Sequence, residues 1–146
     1  MKEIYTEIEI NASTRVVWGI LNEFENFPKW NPFIQEISGN QQEGSQIDVF
    51  IKPPHSNGMR LKPTILIYKP EKELRWFGRL WIPKLFDGEH SFILRNLNHN
   101  KTLFIQKERF NGILIPFFSS LLKDTESGFK LMNKALKNIS ENKNSK

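Results

Sequence analysis

The sequence contains no cysteine in its 146 residues. Disulfide bonds, thiolate catalysis and cysteine-based zinc sites are therefore excluded. Only three histidines are present, and their spacing fits no metal-binding pattern, so we expect neither a metal site nor another cofactor. The sequence also shows no nucleophile elbow and no Ser-His-Asp set, so we assign no catalytic residue.

Long apolar runs are missing as well. No segment approaches the roughly 20 apolar residues that span a bilayer, and residues 1–10 alternate charged and apolar side chains where a signal peptide would have an apolar run. We therefore expect a cytoplasmic protein without a transmembrane segment. The net charge of +5 is modest and no DNA- or RNA-reading motif accompanies it, so we expect no nucleic-acid partner. The sequence leaves the oligomeric state open.

What the sequence does contain is enough apolar surface for one packed core. Hydrophobic residues make up 38% and aromatic residues 12%, which is typical of a globular chain. The length predicts a single domain over residues 1–146. Residues 3–10 alternate like a strand. The next segment predicts a helix over 11–22, which Ser13 or Asn11 can cap.

After Gly39 the hydrophobic pattern has a period of two, and turn sequences such as GNQQEG, KPEK and LNHN interrupt it. The predicted strands are 33–38, 45–52, 59–69, 73–80, 88–96 and 101–111. Their close spacing favours an antiparallel meander. From about residue 116 to 142 the period becomes helical. The apolar stripe of this helix is Phe118, Leu122, Thr125, Phe129, Met132, Leu136 and Ile139. A helix of about 25 residues is about 38 Å long, so a sheet has to wrap around it.

Four stretches resemble the START/ligand-binding/polyketide-cyclase superfamily (SRPBCC): FENFPKWNPFI, LRWFGRLWIPKLFDGEHSFIL, TLFIQKERFNGILIPFF and GFKLMNKALK. The resemblance implies an α+β helix-grip fold. In this fold a seven-stranded antiparallel sheet wraps around a long C-terminal helix, two short helices lie between strands 1 and 2, and an apolar cavity separates sheet and helix. Members of the superfamily bind lipids, sterols, polyketides or plant hormones. Some are cyclases, and others are co-chaperone or oxygenase domains, so fold membership alone does not choose a function.

Strand alternation predicts which side chains face the cavity, because the faces that carry arginine should meet water. The predicted inward set is Trp76, Gly78, His90, Phe92, Leu94, Phe104, Gln106, Glu108 and Phe110. If LNHN closes a hairpin, His90 lies opposite Glu108, and a second hairpin through IPKLFDG places Gly78 beside His90. The His90–Glu108 pair then anchors a polar ligand group, acts as an acid/base pair, or simply ties two strands together.

The aromatic connector, residues 24–33, is the other candidate region. Pro28 and Pro32 restrict it to a short, rigid helical turn. Its aromatic residues either plug the end of the barrel or line the cavity, and the rigid turn favours Phe27 and Trp30 as lining residues. Residues 81–86 offer a second rim. The full set of predicted ligand-binding residues is Phe27, Trp30, Trp76, Gly78, His90, Phe92, Gln106, Glu108, Phe118, Leu122 and Phe129.

These observations favour a carrier or sensor that binds a small hydrophobic or amphipathic molecule without catalysis. The first alternative is an enzyme of the polyketide cyclase/aromatase type, which requires a titrating group beside a dry cavity. The second is a protein-interaction domain with a vestigial pocket. The outer face of the predicted sheet carries Arg75, Arg79, Arg95, Lys107 and Arg109. This face is an ordinary solvated surface or a peripheral contact with acidic lipid headgroups.

Overall fold

The computed structural model describes residues 1–79 and 87–144. The predicted second rim, residues 81–86, lies outside these residues. The elements are β1 (Lys2–Ile10), α1 (Thr14–Asn22), α2 (Phe27–Trp30), β2 (Ile34–Ser38), β3 (Asp48–Ile51), β4 (Met59–Leu61), β5 (Thr64–Lys69), β6 (Glu73–Arg79), β7 (Asp87–Asn98), β8 (Lys101–Asn111) and α3 (Ser119–Asn144). One 3₁₀ turn (Phe24–Asn26) precedes α2 and another (Ile115–Phe118) precedes α3. The α+β class and the long C-terminal helix packed on antiparallel sheet are as predicted.

The strands form two sheets instead of the predicted single seven-stranded one. One sheet has five strands in the order β1-β8-β7-β6-β5, and the other has three in the order β2-β3-β4. The predicted strand 59–69 is two strands, because Pro63 has no N–H to donate and interrupts the ladder. The Ile47 N–H donates to the carbonyl oxygen of Pro63, and the Ile65 N–H donates to that of Ser45. These backbone bonds join the two sheets at the break.

The segment between β1 and β2 follows its local sequence signals. The Ser13 hydroxyl accepts from the Val16 N–H at 3.2 Å, so Ser13 is the cap of α1. Pro28 lies in the first turn of α2, where its missing N–H costs nothing. The residue before Pro32, Asn31, is extended and ends the helix, and its side chain accepts from two following backbone N–H groups. The two short helices predicted from the resemblance are therefore present.

Helix α3 packs the predicted stripe against the sheets. Leu122, Phe129, Met132 and Leu136 are buried, and all belong to one hydrophobic cluster with the inward faces of the strands. Gly128 is required for this packing, because a Cβ there would clash with the ring of Phe33. At 26 residues, α3 is about 39 Å long.

The register between β7 and β8 is as predicted, and it places His90 opposite Glu108. The register between β6 and β7 is not. Gly78 lies opposite Gly88, and Trp76 lies opposite His90, two residues away from the predicted pairing. The last described pair is Arg79 opposite Asp87, and the residues between them lie outside the described part of the chain. A two-residue shift preserves the strand faces, and the inward set is therefore still inward.

Candidate functional site

An apolar chamber lies between the two sheets and the first turns of α3. Its volume is about 50 Å³. We call it the chamber; it is lined by Phe33, Val49, Ile51, Met59, Leu61, Pro63, Trp76, Gly78, Gly88, His90, Glu108, Phe110, Leu121, Leu122 and Thr125. Most of these side chains are apolar, so the chamber favours an apolar group.

The chamber exists because two facing positions on the sheet carry no side chain. Gly78 and Gly88 are directly opposite each other on the inward face. A Cβ at Gly78 would meet only Pro63, at an ordinary contact distance of 3.6 Å. A Cβ at Gly88 would fall on Oε2 of Glu108. Gly78 therefore leaves open volume, whereas Gly88 makes room for a carboxylate.

A groove of about 280 Å³ lies next to the chamber and shares three lining residues with it. The groove is lined by Met59, Arg60, Leu61, Lys62, Arg79, Phe118 and Leu121. Hydrogen bonds to Glu36 and Asp48 raise the pKa of Arg60, so this guanidinium stays charged and is held by carboxylates. The chamber therefore adjoins a surface groove that has an apolar floor and a basic border.

A hydrogen-bonded pair, the buried His90 and the partly buried Glu108, forms one wall of the chamber. His90 is 4% exposed, and its Nδ1 lies 3.1 Å from Oε1 of Glu108. Its Nε2 lies 3.0 Å from Oε1 of Gln106. The imidazole packs among the rings of Trp76, Phe92 and Phe129, with centroid distances of 5.3, 4.4 and 4.9 Å. The pair therefore has a fixed geometry inside an apolar wall.

The structure brings part of the predicted set together at this site. Trp76, Gly78, His90, Glu108 and Leu122 line the chamber, and Phe118 lines the groove. Three others lie behind the wall: Phe92, Gln106 and Phe129 are fully buried and support the imidazole. A role for these three in direct ligand contact stays a prediction.

Phe27 and Trp30 do not line the chamber. Phe27 is 1% exposed, and its ring packs edge-on against Phe24 and Trp30. Trp30 borders a separate surface hollow beside Ile139, near the C-terminal end of α3. From the aromatic connector, only Phe33 reaches the chamber. The interpretation of the connector as a plug fits these positions better, and ligand contact by Phe27 or Trp30 stays a prediction.

Several lining residues had no assigned role in the sequence analysis. Gly88 is the most important, and its signal was the alternation that places it on the inward face with His90. Met59 and Leu61 were missed because the break at Pro63 was not recognised. Behind the wall, Asn133 and Thr6 are buried polar residues that hydrogen-bond to each other, 127 positions apart. Such a distant pairing has no local sequence signal.

Within residues 1–79 and 87–144, no three His, Asp or Glu side chains cluster in a way that could hold a metal ion. None of the described helices is both long enough and apolar enough to cross a membrane.

Sequence comparison identifies a family. The family model described as polyketide cyclase / dehydrase and lipid transport matches residues 1–139. Among curated proteins, none matches the sequence.

Solved structures show the same fold at low sequence identity. The Zhui aromatase/cyclase from Streptomyces sp. R1128 superposes with a TM-score of 0.78 at 10% identity, covering 96% of this chain and 93% of that one. A START superfamily protein from Mycobacterium smegmatis superposes with a TM-score of 0.73 at 18% identity, covering 96% of this chain and 97% of that one. A norcoclaurine synthase point mutant from Thalictrum, in complex with a transition-state analogue, superposes with a TM-score of 0.70 at 13% identity, covering 95% of this chain and 93% of that one. By the match of its sequence over residues 1–139, with this fold in support, the chain belongs to the polyketide cyclase / dehydrase and lipid transport family.

Proposed function

We propose that this protein is a carrier or sensor that binds a small apolar or amphipathic molecule in the chamber and the adjoining groove. One observation carries the proposal: the wall of an apolar chamber contains a hydrogen-bonded His–Glu pair, and Oε2 of Glu108 lies in the space that Gly88 leaves there. Apolar walls with a few placed polar groups are typical of small-molecule sites. The family match supports the same class of function.

The volumes limit how a ligand fits. At about 50 Å³ the chamber is too small for most ligands, since typical pockets have roughly 300 to 1,000 Å³. The chamber and the groove of about 280 Å³ together reach the lower end of that range. We therefore expect one group of the ligand in the chamber and the remainder in the groove, against Phe118 and Leu121. Leu121 and Leu122 are the side chains that would move to enlarge the passage.

The His90–Glu108 pair also supports a second candidate, a cyclase-like enzyme. A carboxylate and an imidazole in hydrogen-bond contact beside an apolar chamber can move a proton to or from a bound molecule. Native mass spectrometry of protein purified from its own host separates the two candidates. A single co-purified mass that remains unchanged on incubation favours the carrier, whereas its conversion into a second mass favours the enzyme.

Binding itself is tested with N-phenyl-1-naphthylamine, a neutral apolar probe whose fluorescence rises when it leaves water. We expect saturable binding by the wild-type protein and a loss of about 10-fold or more in Gly78→Val, because the new side chain fills the chamber. Gly19→Ala is the matched control, since a Cβ at Gly19 on α1 meets nothing within 4 Å and lies outside the chamber. Absence of saturable binding by the wild type, or equal loss in both variants, contradicts the proposal.

A further inference from the structure

The buried polar residues behind the chamber form one continuous hydrogen-bond chain, and its direction can be determined. The Thr6 hydroxyl is 2.7 Å from the backbone oxygen of Gln106 and donates its single hydrogen there. Its oxygen must then accept from Nδ2 of Asn133, at 2.9 Å. This contact fixes which end of the Asn133 side chain is the amide nitrogen.

The hydrogen-bond chain continues through Gln106 to the imidazole of His90. Oδ1 of Asn133 accepts from Nε2 of Gln106 at 2.8 Å, so Oε1 of Gln106 is the atom that faces His90. An amide oxygen can only accept, and Nε2 of His90 therefore carries a proton. Thr6 and Asn133 thus determine the tautomer of a histidine that neither of them contacts.

The remaining ring nitrogen faces Glu108. With Nε2 protonated, Nδ1 and Oε1 of Glu108 need one proton between them, because two bare acceptors 3.1 Å apart repel each other. The pair is then an imidazolium with a carboxylate, or an imidazole with a carboxylic acid, and its net charge is zero in both forms. Both ring nitrogens of His90 are engaged, so His90 has no hydrogen-bonding atom left for a ligand.

The atom that is left is Oε2 of Glu108. Across the part of the chain that the structure describes, no donor hydrogen-bonds to it, and it occupies the space that the missing side chain of Gly88 leaves in the chamber wall. The other hydroxyl in the chamber wall, that of Thr125, donates to the Leu121 carbonyl oxygen at 2.7 Å. The basic side chains Arg60, Lys62 and Arg79 border the groove and not the chamber.

Building on the proposed binding function, we propose that the chamber selects a ligand whose innermost polar group is a neutral hydroxyl, alcohol or phenol, that donates to Oε2 of Glu108. Gln106, Asn133 and Thr6 are positioning residues for this contact. A hydroxyl supplies a donor for Oε2, which is an acceptor in both forms of the pair. A ligand carboxylate has no hydrogen to donate, so it would place an acceptor against an acceptor, and a pair with zero net charge has no excess positive charge to offset the ligand's negative charge.

Three probes of one shape test the selectivity by calorimetric titration: naphthalene, 2-naphthol and 2-naphthoate. We expect 2-naphthol to bind about 10-fold tighter than naphthalene, about the size of one hydrogen bond, and 2-naphthoate to bind weakest. In Glu108→Gln the preference for 2-naphthol over 2-naphthoate should fall by about 10-fold. If naphthalene binds and 2-naphthol binds no tighter, the inference about the hydroxyl group is overturned and the proposed function is not. Failure of all three to bind overturns it together with the proposed function.

The facing glycines provide a matched pair of variants. Gly88→Ala places a methyl group on Oε2 and displaces the carboxylate, so we expect it to abolish the preference for 2-naphthol while naphthalene still binds. Gly78→Ala adds the same methyl group on the opposite strand, where only Pro63 is near, so it should weaken all three probes by a similar factor. If both variants change the affinities for the three probes in the same way, a role for Oε2 is contradicted.

The positioning role has a spectroscopic test. The ¹⁵N chemical shifts of His90 should show Nε2 protonated in the wild-type protein. In Asn133→Leu the Gln106 amide keeps only the longer bond from its Nε2 to the Phe129 carbonyl oxygen, at 3.4 Å. We therefore expect the Nε2-protonated population of His90 to fall and the preference for 2-naphthol to fall with it. An unprotonated Nε2 in the wild type, or unchanged shifts in Asn133→Leu, overturns the assignment of the chain.

Discussion

Two regions of this molecule contrast in how they use large side chains. At the aromatic end, Phe24, Phe27 and Trp30 pack edge-on against one another, with centroid distances of 5.7 and 5.2 Å. At the glycine end, Gly78 and Gly88 face each other across neighbouring strands, and the chamber lies over them. The sequence signal was strongest for the aromatic end, but the open volume is at the glycine end.

The contrast shows that a surplus of aromatic residues is a poor guide to a pocket. Aromatic rings bury large areas and fill space efficiently, so a cluster of them tends to close a region. A cavity needs a position where a side chain is missing and where the neighbours cannot collapse. Here the rigid ladder between β6 and β7 prevents that collapse, since backbone hydrogen bonds hold the two glycines in place.

The largest expected difference between the two ends is in stability. Phe27→Ala should lower the free energy of unfolding by about 3–5 kcal/mol, as for other buried Phe-to-Ala changes, because Phe27 is 1% exposed. Phe117, near the glycine end, is 79% exposed, and Phe117→Ser should change the same quantity by less than about 0.5 kcal/mol. Urea denaturation followed by circular dichroism measures both. Similar losses would mean that the two ends are not packed differently.

A medium effect is expected at Trp30, which is only half-buried against Phe27. Trp30→Ala should lower stability by about 1–3 kcal/mol and leave the affinity for N-phenyl-1-naphthylamine within about two-fold of wild type. The sequence alone favours a different result, in which Trp30→Ala weakens ligand binding more than it weakens folding. Denaturation and probe titration on the same preparation show whether Trp30→Ala affects mainly stability or mainly probe affinity. Weakened binding in a fully stable variant would move the ligand site to the aromatic end.

The β7–β8 hairpin shows what the sequence could predict. The short turn LNHN leaves little freedom in register, and alternation then places His90 and Glu108 on one face. Most of the inward set followed from the same alternation, because charged residues on one face identify the solvent side. The resemblance of four stretches to the SRPBCC superfamily supplied the helix-grip order of elements.

The sequence could not predict the β6–β7 register or the hydrogen bonds between residues that are far apart in the chain. The β6–β7 register differed by two residues, since alternation cannot distinguish registers that differ by an even number. That shift placed Gly88, not His90, opposite Gly78 and so produced the chamber. The chain from Thr6 through Asn133 to His90 joins β1, α3 and β7, and only the three-dimensional packing brings these elements together.

The smallest expected effect belongs to Glu141, near the C-terminal end of α3. Its Oε2 accepts from Lys137 Nζ at 2.6 Å and from the Asn11 N–H at 2.8 Å, and these hydrogen bonds lower the pKa of this carboxyl below its usual 4.5. A carboxyl with a lowered pKa adds stability above its unfolded-state pKa, and this contribution is lost as the pH falls through the lowered value.

We therefore expect Glu141→Gln to be less stable than wild type at pH 7 by under about 1 kcal/mol, since the pair is close to solvent and screened by salt. The difference should shrink as the pH falls below about 4.5 towards 3. Glu126→Gln is the control, because Glu126 pairs with Lys130 on the exposed side of the same helix at 3.2 Å. Urea denaturation at both pH values gives the comparison, and a deficit that grows at low pH would contradict it. Because Glu141 lies far along α3 from Leu121 and Leu122, probe affinity at the glycine end should not change at either pH, so the two ends respond independently.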